Sequence, residues 1–403
     1  MRSRPRWPGT IYLTLAAVAL AGLAAGAIAW RRGAEDPEHL AMQALADFKA
    51  GRHGQAEAAL ARLGRMRPPT VLDRMLRAQV ALTKDLYAEA LVELRQVPDD
   101  HPATSQAKFQ QGQIELKLHH LRAAEEALLA ALKLDPNLVQ AHRSLIYIYG
   151  MQRRRPELHA RFLALSKLTP LGVSDVTRWC ITCDESWVTP ESEVDLARFV
   201  KADPGDRFSR LALAARLRLA GRLDESEAAL APLPATDPEA QLLRAQIGQE
   251  RGVGQGLEAS IAGIPDGRLD LERFRGRAAM FRHDAKAAVR HFRAAHEADP
   301  HDQEALGGLA RALTMSGDPA AAQPYLAAMR RYAELSKLLQ EADSSTGPKP
   351  PDLMLRLGKA CEAVQKLEEA RAWYRLAIER DPLDSEAQKG LFRLGPAAPT
   401  ATP

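Results

Sequence analysis

Cys180-Ile181-Thr182-Cys183, with Trp179 and Trp187 on either side, is the stretch of this chain whose residue types and spacing could do chemistry. A C-x-x-C can cycle between dithiol and disulfide or supply half of a zinc site, and each use needs a suitable context. That context is missing: there is no second C-x-x-C, residue 184 is Asp where haem attachment needs His, and no strand-like run precedes the pair. Two readings stay open, small apolar packing and a reversible disulfide. His119-His120, and the group His283, His291, His296 and His301, lack the i, i+4 spacing and the arranged carboxylates of a ligand set, and read as solvated polar faces. No G-x-x-x-x-G-K, G-x-S-x-G or H-E-x-x-H occurs. The expectation is a non-catalytic protein with no metal and no cofactor; the alternative is a thiol-dependent redox or metal-handling factor using Cys180 and Cys183.

The elements that must position any such residues are helical. Of 403 residues 46% are hydrophobic but only 5% aromatic, and Ala, Leu, Arg and Glu outnumber the β-branched types. The 55 basic and 51 acidic residues leave a formal net charge of +4, too balanced to imply a nucleic-acid partner. Three cysteines exclude a disulfide framework.

After a basic flank over residues 1–9, Thr10 to Trp30 carries no charge, with Arg2, Arg4 and Arg6 before it and Arg31 and Arg32 after it. As a helix it would be about 30 Å long, one hydrocarbon thickness. The extra arginine before it favours a cytoplasmic N-terminus and an exported C-terminal body. Residues 10–30 therefore read as a transmembrane anchor ending in the interfacial Trp30-Arg31-Arg32; the alternative is a signal segment cleaved near Ala29, at Ala27-Ile28-Ala29, which secretes the body. Gly22 and Gly26 have the G-x-x-x-G spacing of a helix dimer, a homodimer contact that in an Ala-rich span also arises by chance.

Beyond the anchor the prolines form a ladder: Pro68, Pro102, Pro136, Pro170, Pro204 and Pro238 are each 34 residues apart. Proline disfavours helix at the residue before it, so each marks a boundary between helices. With each proline counted as position 32, position 8 is small in Ala44, Ala78, Gly112, Cys180, Ala214, Gly276, Ala310 and Gly358, and position 20 in Ala56, Ala90, Ala124, Ser192, Ser226, Ala288, Ala322 and Ala370. Position 24 is large: Leu60, Leu94, Leu128, Phe162, Leu196, Leu230, Phe292 and Tyr374. Small residues let paired helices approach, and the large ones fill the space beside them. Gly51, Gly221 and Gly317 occupy position 15, where the chain must reverse. The register also gives the cysteines a structural use, with Cys180 at position 8, Cys183 at position 11 and Cys361 at position 11 of the last repeat.

This pattern resembles the tetratricopeptide repeat (TPR) family over residues of about 37 to 382, and with the N-terminal segment it is similar to the membrane-anchored bacterial type. The resemblance implies an all-α, right-handed solenoid of about ten helix pairs behind an N-terminal transmembrane helix, with a groove lined by the first helix of each pair. The expected organisation is a six-repeat array over 37–238, a contracted repeat plus two TPRs over 239–340, a linker over 341–351, a last repeat and capping helix over 352–395, and a disordered tail over 396–403. Gly252, Gly254 and Gly256 mark the contracted repeat, which lacks six residues, as a kink. In repeat four, Ile146 and Leu158 stand where small residues belong.

The function the resemblance implies is a protein-binding scaffold, tethered to the membrane and holding segments of partners in an envelope complex. Groove positions 5 and 9, by the family's pattern, are Met75, Gln79, Phe109 and Gln113, then Arg143 and Tyr147, then Arg273, Arg277, Arg311 and Lys359. Cations at successive positions point to an acidic protein or peptide segment as the ligand. The chain's only asparagine is Asn137, so the family's two-carboxylate clamp for chaperone tails is not expected.

Overall fold

The computed structural model describes residues 36–181, 190–252, 261–344 and 349–395; residues 10–30 and 396–403, Cys183, Trp187, Gly254 and Gly256 lie outside them. Among the described residues there are twenty α-helices and no strand. Successive helices pack in pairs, α1 (Pro37–Lys49) with α2 (His53–Met66), α3 (Val71–Thr83) with α4 (Tyr87–Arg95) and α7 (Val139–Met151) with α8 (Arg155–Leu168), and the first half of the chain also holds α5 (Thr104–Lys117), α6 (Leu121–Leu134), α9 (Val173–Ile181) and α10 (Pro190–Ala202). There follow α11 (Arg207–Leu219) with α12 (Leu223–Leu230), the single helix α13 (Pro238–Glu250), α14 (Leu269–Phe281) with α15 (Ala285–Ala298), α16 (Gln303–Met315) with α17 (Pro319–Asp343), α18 (Leu353–Ala363) with α19 (Leu367–Arg380), and α20 (Ser385–Leu394). None of these helices is long and apolar enough to cross a membrane.

The chain divides into two compact units, one holding the described residues up to Leu118 with Glu126–Pro136, the other His119–Glu125 with the described residues from Asn137 on.

The proline ladder works together with a cap two residues further on. After Pro68, Pro204, Pro300 and Pro382, the side chains of Thr70, Asp206, Asp302 and Asp384 accept the amide N–H of Asp73 (3.3 Å), Ser209 (3.2 Å), Ala305 (2.7 Å) and Ala387 (2.9 Å). Each satisfies an amide that the first helical turn leaves without a partner. At Pro238 the proline is itself at the start of the helix and Asp237 is the cap.

Position 15 is left-handed wherever it is described, whatever residue stands there. Gly51, Gly221 and Gly317 have φ of 75°, 74° and 86°, and Asp85, His119, Arg153, His283 and Gln365 have φ of 57°, 66°, 57°, 57° and 63°. The turn between paired helices demands this conformation, so His119, Arg153 and His283 are turn residues before they are anything else.

Packing follows the 34-residue register. Ala44, Ala78, Ala214, Ala56, Ala90, Ala124, Ser226, Ala288, Ala322 and Ala370 are wholly buried, and Leu60, Leu94, Leu128, Phe162, Leu196, Leu230, Phe292 and Tyr374 fill the space beside them. Where position 24 is aromatic in the later repeats, glycines flank the ring: Cβ atoms on Gly276 and Gly308 would lie 2.9 and 2.4 Å from Phe292, and on Gly358 and Gly390 2.5 and 2.6 Å from Tyr374. In repeat four, Ile146 and Leu158 are buried at the small positions, and Phe162 stacks instead on Trp179, with centroids 5.8 Å apart.

Two features depart from the expected organisation. The segment Glu341 to Asp343, read as the start of a linker, is helical, because α17 runs on for 25 residues and buries Leu338, Leu339 and Ala342. Within the second unit, α9 packs against α17 and α19, far along the chain. The last described helix, α20, packs on α18 and α19.

Candidate functional site

In the first unit the four expected groove residues do not form an open surface. Met75 belongs to the core shared by α3, α4 and α5, with Ala78, Leu94, Ala107 and Ile114 around it. Phe109 is also buried, and Gln79 and Gln113 are half-buried.

In the second unit the cations are engaged by carboxylates from the next first helix. Arg143 on α7 donates from one Nη1 to both oxygens of Asp175 on α9, at 3.1 and 2.9 Å. Arg273 on α14 is buried and reaches Asp302 and Glu304, each at 2.8 Å. Arg277 also binds Glu304, so the two arginines share one carboxylate at the start of α16. Lys359 on α18 lies 3.5 Å from Glu386 on α20. The same motif occurs at Arg207 on α11, which reaches Asp237 at 3.1 Å and also Glu239 at the start of α13. Carboxylates in a first turn are favoured by the helix dipole, and there the arginine of the preceding repeat completes them.

The balance of burial and pairing differs along this ladder. Burial raises the Asp237 and Glu239 carboxyls, but Arg207, Arg268 and backbone amides outweigh it and hold both below their ordinary values. At Asp302 burial wins over Arg273, and the carboxyl is raised.

Three expected groove residues remain at the surface, Tyr147, Arg311 and the ion-paired Lys359. Tyr147 is 45% exposed, and Arg311 is exposed with no ion pair among the described residues. Burial and the nearby Asp195 charge raise the Tyr147 phenol. The sequence reading missed the carboxylate partners, although Glu239, Glu304 and Glu386 all lie in first turns 27 to 32 residues beyond the cations they bind.

The cysteines are placed in a way the sequence did not indicate. Cys180 on α9 and Cys361 on α18 are buried, unbonded thiols with sulfurs 3.8 Å apart. Around them Trp373 donates its indole N–H to Cys180 Sγ at 3.4 Å, Lys366 Nζ donates to the Cys180 carbonyl at 3.2 Å, and Trp179 donates to His159 Nδ1 at 2.9 Å. Burial pushes the Cys361 thiol well up, with the neighbouring Cys180 adding to it. No group of three or more His, Cys, Asp or Glu side chains with metal-binding geometry occurs among the described residues.

Family models described as tetratricopeptide repeat match residues 105–138, 282–337 and 316–385. No curated protein matches the chain. Similar solved structures include the Cut9–Hcn1 hetero-tetramer of the APC/C, with 12% identity, 96% of this chain and 94% of that chain covered and a TM-score of 0.38. The C-terminal part of a TPR repeat-containing protein from Cytophaga hutchinsonii has 14% identity, coverage of 66% and 98% respectively and a TM-score of 0.32. The human IFIT1 dimer with m7Gppp-AAAA has 15% identity, coverage of 93% and 84% and a TM-score of 0.34. Tetratricopeptide repeats are therefore present over residues 105–138 and 282–385, in the register in which the helix pairs there pack.

Proposed function

We propose that this chain is a membrane-tethered adaptor, anchored through residues 10–30 with its C-terminal body exported, that holds segments of partner proteins in an envelope complex without catalysing a reaction. The observation that carries the reading is the use of the side chains: positions 8, 20 and 24 are spent on packing, and Tyr147 and Arg311 on first helices are left exposed, which suits a binding surface. A partner with an acidic segment suits that surface. Its carboxylates bind Arg311 directly and exchange with Glu304 on Arg277, with Asp175 on Arg143 and with Glu386 on Lys359, all of which are partly exposed pairs. Arg273, buried with Asp302, serves the stack.

The experiment is capture of partners from membranes by the full chain and by a form lacking residues 10–30, with Arg277 and Arg311 each reversed to Glu. The double reversal is expected to weaken capture tenfold or more, about 1.4 kcal/mol, and to remove its salt dependence. Unchanged capture by a folded variant overturns the acidic-segment reading. A reporter enzyme that works only outside the cytoplasm, fused after Pro403, tests the topology: activity supports export, and activity of a cytoplasmic reporter in its place reverses it.

A further inference from the structure

We propose that Cys180 and Cys361 form a reversible disulfide that covalently locks α9 against the last repeat. This goes beyond the adaptor reading and does not depend on it. The two residues are 181 positions apart, yet their sulfurs are in van der Waals contact at 3.8 Å within one compact unit. A C-x-x-C reading would pair Cys180 with Cys183; the described neighbour of Cys180 Sγ is Cys361. The contact lies inside a dedicated joint, since Trp179 and Trp373 are both wholly buried there and Lys366 is 4% exposed. Arg375 on α19 adds a bond to the Ser166 carbonyl at the end of α8, at 3.4 Å.

The Trp373 indole N–H donates to Cys180 Sγ and the Lys366 ammonium donates to the Cys180 carbonyl, so both fix the α9 end of the joint. Burial pushes the Cys361 thiol up, with the neighbouring Cys180 adding to it. The co-reactant is a small-molecule disulfide, RSSR. Cys180 thiolate attacks one sulfur of RSSR, breaking its S–S bond and releasing RS−, which takes up the proton Cys180 gave up. Cys361, on losing its proton, then attacks the Cys180 sulfur of the mixed disulfide and expels the second RS−, which leaves with that proton. Two protein thiols are oxidised and one RSSR is reduced to two RSH. Both sulfurs are buried when α9 is seated, so the first attack belongs to a state in which α9 has lifted, and the second seals the joint as α9 returns.

The test uses the full chain, purified reduced and then held in oxidised glutathione, with non-reducing peptide mapping. The expected result is an intramolecular Cys180–Cys361 peptide, reversed by reduced glutathione, faster migration on a non-reducing gel, and a Tm raised by about 5 °C or more. Cys183→Ala should keep the cross-link and Cys361→Ala should abolish it. Because the map is made on the wild-type chain, a variant that fails to fold leaves the test intact. A Cys180–Cys183 linkage, a linkage between two chains, or persistence of free thiols in oxidised glutathione overturns the proposal.

Discussion

The ring of Phe292 occupies the place a side chain on Gly308 would need: a Cβ there would lie 2.4 Å from ring Cε1, and 2.5 and 2.6 Å from two further ring atoms. Gly276 closes the ring from its own repeat, so one large residue is seated between two helices that could not otherwise approach it.

Gly308→Ala should therefore destabilise the chain by about 1–3 kcal/mol, although alanine is the better helix former by about 1 kcal/mol. Thermal unfolding decides the sign. Phe292→Leu in the same chain should recover part of the loss, and a Gly308→Ala chain as stable as wild type would show that the close approach is absent.

The left-handed turn residues make the opposite prediction. His283 has φ of 57° and an exposed side chain whose ring makes no hydrogen bond or ion pair among the described residues. His283→Gly should stabilise the chain by about 0.5–1 kcal/mol, since relief of the strained φ exceeds the entropy glycine adds to the unfolded state. Chemical denaturation with an unchanged m-value is the measurement; destabilisation would mean that the imidazole has a structural use.

Asp237 predicts a pH dependence. Its folded carboxyl is held below the ordinary 3.8, mainly by Arg207 and the Ala240 amide working against burial. For a depressed carboxylate the stabilisation is fully present above the unfolded value and is lost as pH falls through the lower folded value. Asp237→Asn should cost on the order of 1 kcal/mol at neutral pH, and its stability curve should converge with wild type as pH drops below that range. Parallel curves down to low pH would remove Asp237 as the source.

Arg273 and Arg311 stand one repeat apart in sequence pattern but should respond differently. Arg273→Ala strands the buried Asp302 carboxylate and should cost about 3–5 kcal/mol. Arg311→Ala, at an exposed side chain, should stay within about 0.5 kcal/mol of wild type. Equal effects would contradict the division between stacking cations and surface cations.

The repeat register was legible because the contacts that enforce it are made within a repeat and recur: Ala44 against Leu60, and Ala78 against Leu94, need only the spacing to be seen. The turn was half legible. Gly51, Gly221 and Gly317 declare a left-handed position, whereas Asp85 and Gln365 at the same place do not, because the fold imposes φ there at a cost the residue type does not show. The cations were legible as first-helix residues but not as stacking residues, since what each one meets depends on the rise from one helix to the next, which brings Asp175 to Arg143 and Glu304 to Arg277. Nothing in the spacing of Cys180 and Cys361 foretold their contact, because it is made by the path of the whole second unit and not by a local period.

That return contact of α9 with α17 and α19 changes how the second unit should fold. In an open array each repeat feels only its neighbours, so the terminal repeats fray first and folding can begin anywhere. Here α19 is bound at both faces of its sequence neighbourhood and again by α9, so the last repeat shares the fate of a helix nearly two hundred residues earlier. Joining such distant segments raises the contact order and slows folding, and in exchange the unit opens as a single cooperative block. Amide exchange should accordingly find the Trp373 helix, close to the end of the described chain, protected as strongly as the α9 segment around Trp179.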